Sequence, residues 1–97
     1  MSGILIEQIG TIEMLNQTAE EASELAQACL KLSRKMRGIN YTPKTKQELL
    51  NNLYEEIADM EICIEELRSE ISKDNIEKWK EIKRSKVKAR INEMTKL

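Results

Sequence analysis

The sequence predicts an all-α protein, an antiparallel bundle of three main helices completed by oligomerisation. Three observations carry that prediction. Only three Gly and one Pro interrupt 97 residues, so sharp turns are few. Apolar residues recur at three- and four-residue steps through long segments, the spacing of a helix face. Charged residues make up 34% of the chain and aromatic ones 3%, so the core must come from Leu, Ile, Ala and Met between charged helix surfaces. A chain of 97 residues makes one domain, 1–97. A core this small gains from pairing with a second copy.

Residues 1–8 read as a loosely ordered lead-in with some apolar side chains available for docking. A first helix is predicted from about Ile9 to Met36, with Met14, Thr18, Ala22, Leu25, Cys29, Leu32 and Met36 as its apolar stripe. It should stop near Gly38. Residues 37–45 hold Gly38, Asn40 and Pro43 and read as the connection, in which Tyr41 either closes the turn or meets a ligand. Thr45 is the expected N-cap of a second helix from about Lys46 to Ser72, with Glu48 completing a capping box. Leu49, Leu53, Ile57, Met60, Ile64, Leu67 and Ile71 form its stripe. Ser72 or Asp74 should cap a third helix from about Asn75 to Met94, with Ile76, Trp79, Val87, Ile91 and Met94 facing inward. A fourth element of the bundle would come from the early part of the first helix or from another subunit.

The acids are placed unusually for such a bundle. Glu21 and Glu24 are three apart, hence neighbours on one helix face, and like charges so placed repel. The same spacing returns 35 residues later as Glu56 and Asp59. Both pairs border the apolar stripe of their helix, and an antiparallel hairpin would bring them together. Four clustered carboxylates repel one another unless protonated or bound to a cation. An oxygen-only ligand set selects a hard cation, Mg²⁺ or Mn²⁺. Glu61, Glu65, Glu66 and Glu70 read as surface charge.

The remaining composition excludes a good deal. No histidine is present, which removes His-assisted nucleophiles and the histidine-bearing metal motifs. Cys29 and Cys63 lack CxxC spacing and read as reduced, buried thiols. The N-terminal residues carry no basic start or long apolar run, so a soluble, cytoplasmic protein with no membrane partner is expected. Net charge is −1. It is segregated, however: residues 55–70 hold seven acids and one base, whereas 71–97 hold nine bases and four acids. A net basic chain or a reading helix is absent, so no nucleic-acid polymer is expected as a partner. Lys31, Lys83, Lys86 and Arg90 read as basic groups able to hold an anion, or as side chains snorkelling over the bundle rim. Trp79 reads as core.

The run Glu20-Glu21-Ala22-Ser23-Glu24-Leu25-Ala26-Gln27-Ala28-Cys29-Leu30-Lys31 resembles the first motif of the MazG-like nucleotide pyrophosphohydrolases, the all-α NTP pyrophosphatases. Glu55-Glu56-Ile57-Ala58-Asp59-Met60 is similar to their second motif, and residues 83–91 to their basic third segment. The resemblance covers about residues 12–92. It implies Mg²⁺ held by Glu21, Glu24, Glu56 and Asp59; the chemistry of water attack then asks for a general base, for which Glu21 or Glu24 is the candidate. It implies a nucleoside triphosphate substrate contacted by Lys31, Lys83, Lys86 and Arg90, cleaved to a monophosphate and pyrophosphate. It also implies a homodimer or homotetramer whose subunits share sites. The rival expectation is a non-catalytic helical oligomerisation module. Two copies of an acidic motif are too few for a solenoid, and the signature of a tetratricopeptide repeat is missing.

Overall fold

The computed structural model of the chain describes residues 4–38 and 42–95. Among them are four helices and no strand: α1 (Ile4–Ile9), α2 (Thr11–Arg37), α3 (Lys46–Leu67) and α4 (Lys73–Thr95). The all-α class is as expected, and three of the helices correspond to those read from the stripes. The expected contact of Tyr41 lies outside the described residues.

Of the loosely ordered lead-in expected at residues 1–8, residues 4–8 are helical, in α1, and residues 1–3 lie outside the described residues. Gly10, at φ 87° and ψ 163°, separates α1 from α2 in a backbone conformation that favours glycine. The bend folds Ile6 onto Met14 and Cys63, all three buried. The Ile6 N–H lies in the first turn of α1, where no helical carbonyl can accept it. Glu66 Oε1 accepts it at 2.9 Å. Glu66 is only 5% exposed, which corrects its reading as surface charge. An acid at a helix N-terminus complements the helix dipole as well as the orphan amide.

α2 ends as expected at Gly38, which takes the left-handed conformation (φ 70°) while its N–H returns to the Lys35 carbonyl. The capping box of α3 is present. Thr45 Oγ1 accepts the Glu48 N–H at 3.1 Å, and Glu48 Oε1 accepts the Thr45 N–H at 3.5 Å. α3 stops at Leu67, short of the expected Ser72. Ser72 instead caps α4, its Oγ accepting the Asn75 N–H at 3.2 Å.

α2 and α3 form an antiparallel hairpin. Met14, early in α2, meets Cys63, late in α3, while Leu32 and Met36 share a groove with Leu53. Along the facing sides the covered positions include Met14, Thr18, Glu21, Leu25, Ala28, Leu32 and Lys35 on α2, flanked by Gln17, and Leu49, Leu53, Glu56, Met60, Cys63 and Leu67 on α3, flanked by Leu50, Asn52, Ile64 and Glu66. Steps of four and three alternate along both helices, the 3.5-residue period of a coiled-coil seam. Of the stripe read for α2, Met14, Thr18, Leu25 and Leu32 are covered, whereas at Ala22, Cys29 and Met36 the covered residue is the one before: Glu21, Ala28 and Lys35. Ala28 is buried, Cys29 is exposed and Met36 is 64% exposed. Glu21 thus lies in the seam rather than at the edge of the stripe. The expectation of two buried thiols thus holds for Cys63 and fails for Cys29.

α4 packs against none of the other three helices. Trp79, Val87, Ile91 and Met94, expected to face inward, are exposed. The physical reason is in the pattern: Lys83, Lys86 and Arg90 interrupt the apolar positions, leaving no stripe wide enough for the hairpin to cover. The radius of gyration is 17.5 Å, against about 12.5 Å for a compact domain of this length. No helix among the described residues is long and apolar enough to cross a membrane.

Candidate metal centre

The centre lies midway along the hairpin seam. α2 supplies Glu21 and Glu24 one turn apart, and α3 supplies Glu56 from the facing helix. One carboxylate oxygen from each of the three lies within 4.8 Å of the other two. Glu21 and Glu56 are half-buried, and Glu24 is exposed. Such a site is walled by the seam on one side and open to solvent on the other.

Hydrogen bonding leaves this cluster short of partners. Glu21 Oε1 accepts from Gln17 Nε2 at 2.9 Å, one turn earlier on α2. Glu21 Oε2 and Glu56 Oε2 are buried and have no hydrogen-bond partner. Two buried carboxylate oxygens facing neither water nor a donor are costly unless something positive sits between them. Partial removal from water raises the Glu21 carboxyl above the ordinary carboxylate range, and the negative charges of Glu24 and then Asp59 push it further. Asp59 therefore stands beside the cluster, exposed and one turn after Glu56, although it is not among the three converging carboxylates.

The donor set fits a hard divalent cation. Glu21, Glu24 and Glu56, whose converging oxygens lie within 4.8 Å of one another, would hold such an ion through oxygen ligands alone. Burial raises the Cys63 thiol pKa, and the negative charges of nearby Glu21 and Asp59 push it further. The Thr18 hydroxyl, one turn before Glu21, donates to the Met14 carbonyl at 2.7 Å.

Among the expected anion-binding groups, Lys31 lies on α2 two turns past Glu24 and lines a cavity of about 240 Å³ with Arg34, Thr42, Lys44 and Leu49. Lys83, Lys86 and Arg90 lie on α4, and the fold of one chain does not carry them to the carboxylates. Lys83 instead lines a shallow apolar hollow with Trp79 and Ile76. Gln17, Arg34 and Lys44 escaped the sequence reading. Gln17 was legible in principle, because Gln and Glu four apart on a helix meet. The approach of Lys44 to Arg34 depends on how the connection folds.

No family model matches the chain, and neither a curated protein nor a solved structure matches it.

Proposed function

We propose that the protein is a Mg²⁺-dependent nucleoside triphosphate pyrophosphohydrolase, with Mn²⁺ as an alternative metal. The observation that carries this reading is the convergence of Glu21 and Glu56, in the seam of a helix pair and each with a buried, unpartnered oxygen, with exposed Glu24 beside them. Seam positions are where a coiled-coil hairpin gains its stability. Acids there weaken the pairing and are accounted for by a ligand. Glu21, Glu24, Glu56 and Asp59 would hold the metal. Bound there, the cation neutralises phosphate charge and lowers the pKa of water. Glu21 or Glu24 takes a proton from the attacking water. The water oxygen bonds to the α-phosphorus, the bond from that phosphorus to the β-bridging oxygen breaks, and the electron pair leaves with pyrophosphate. No side-chain nucleophile is needed, in keeping with a chain that has no histidine. The similarity of the two acidic runs to those of the MazG-like enzymes supports the same reading.

The working form is a homodimer or homotetramer. Support comes from α4, whose apolar residues are uncovered and whose end of the chain is basic while α3 is acidic. A second copy could cover these surfaces and bring Lys83, Lys86 and Arg90 to a neighbouring carboxylate cluster. The same uncovered helix favours the second reading, an oligomerisation module without catalysis. Metal dependence separates the two. Glu24→Gln and Asp59→Asn are expected to abolish pyrophosphate release while helical circular dichroism is unchanged. Full activity in both variants would remove the assignment.

A further inference from the structure

We infer that the side of the hairpin turned away from the carboxylates is an interface with a second copy of this chain, α2 of each copy lying against α3 of the other. The inference rests on the homo-oligomer proposed above and gives it a face. At about 100° per residue, Ala19, Ala22, Ala26, Cys29 and Ser33 project about a quarter-turn to one side of the α2 seam, and all five are exposed. Leu50, Leu53 and Ile57 project to the same side from α3, because antiparallel helices carry equal rotations to one face. Leu53 accordingly shares a groove of about 390 Å³ with Cys29, Ser33 and Met36. Glu24 and Asp59 project about a quarter-turn the other way. No charged residue lies on the apolar side between Leu15 and Met36 of α2 or between Leu50 and Ile57 of α3.

Among the described residues nothing covers this side, since α4 packs against none of the other helices. The buried apolar side chains there are Ile6, Met14, Ala28, Leu49 and Cys63, a small core for a chain of 97 residues. The two stripes span about 30 Å by 20 Å, hence about 600 Å² on each copy and about 1,200 Å² in the pair, where specific interfaces begin. Residue size selects the occupant. Along the seam Met14 meets Cys63 and Glu21 meets Glu56. In that register Ile57 stands level with Ala19, Leu53 between Ala22 and Ala26, and Leu50 with Ala26. A two-fold axis parallel to the helices keeps every residue at its height and exchanges α2 with α3. Each large α3 side chain of one copy then falls on the alanines in α2 of the other. The pair is an antiparallel four-helix bundle. Both carboxylate clusters face outward from it, each built within one chain.

The test is sedimentation equilibrium of the full chain, with alkylation of Cys29 as a second readout. Wild type is expected to be a dimer or a multiple of it. Ala26→Glu places a charge in the interface while keeping a good helix former, and is expected to weaken the pair at least about a hundred-fold. Val87→Glu, on α4, is expected to leave the pair intact. Cys29 of wild type, exposed in the single chain, is expected to react slowly with a maleimide where the pair forms and readily on dilution below that concentration. A monomeric wild type, or equal Cys29 reactivity at both concentrations, would overturn the inference. A pair that survives Ala26→Glu and is lost in Val87→Glu would overturn this face and keep the oligomer on α4. A pair broken by Ala26→Glu, in a wild type that turns over no triphosphate with Mg²⁺, would keep the face and remove the hydrolase.

Discussion

Replacing Glu56 by Leu should stabilise the metal-free protein and remove its response to Mg²⁺. Glu56 occupies a seam position between Leu53 and Met60, half-buried, with Oε2 buried and unpartnered. A fully buried Leu contributes about 1.5–3 kcal/mol, so a half-buried one contributes about 1 kcal/mol. Removing an unpartnered buried oxygen adds about 1 kcal/mol or more. The combined gain of about 2 kcal/mol corresponds to about 8–16 °C in Tm for a domain of this size. Thermal unfolding at fixed protein concentration, with and without millimolar Mg²⁺, measures both effects. Wild type should rise in Tm with the metal, because a ligand that binds only the folded state stabilises it. E56L should start higher and not move. A lower Tm for E56L in metal-free buffer, or an undiminished Mg²⁺ shift, would refute the view that this acid is kept at the expense of stability.

Three other outcomes follow from the same geometry. The raised pKa of Glu21 means that the folded state holds its proton more tightly than the unfolded chain. Metal-free stability should therefore fall as pH rises from the ordinary carboxylate value through the raised one, and Mg²⁺ should flatten that fall in a Tm series. Met14→Ala empties the most buried side chain of the core and should cost about 2–5 kcal/mol, read from the urea midpoint. Glu66→Ala removes the acceptor of the Ile6 amide, so that amide should lose its protection in hydrogen exchange while the middle of α3 retains its own.

Capping and turn chemistry were the most legible parts of the fold. Thr45, Glu48 and Gly38 act locally, so their residue types specify their roles without tertiary information. The spacing of Glu21 with Glu24 and of Glu56 with Asp59 was also legible, because residues one turn apart share a face. Their depth was not. The stripe read from the sequence passes through Ala22 and leaves Glu21 at its edge, while the covered positions, at the same 3.5-residue spacing, pass through Glu21. Only the partner helix decides between them. Glu66 was misread for a related reason, since its donor is 60 residues away on α1. The apolar residues of α4 announced a packed helix, but the lysines between them break the stripe, and the hairpin leaves that helix uncovered.

The most direct test of the central claim is pyrophosphate release from a panel of ribo- and deoxyribonucleoside triphosphates, with Mg²⁺ and with EDTA. Metal-dependent release of pyrophosphate together with the nucleoside monophosphate is the expected result. Release of single phosphate would contradict the reaction while leaving the metal centre. No turnover of any triphosphate, with no Mg²⁺-dependent rise in Tm, would contradict both and favour the oligomerisation module.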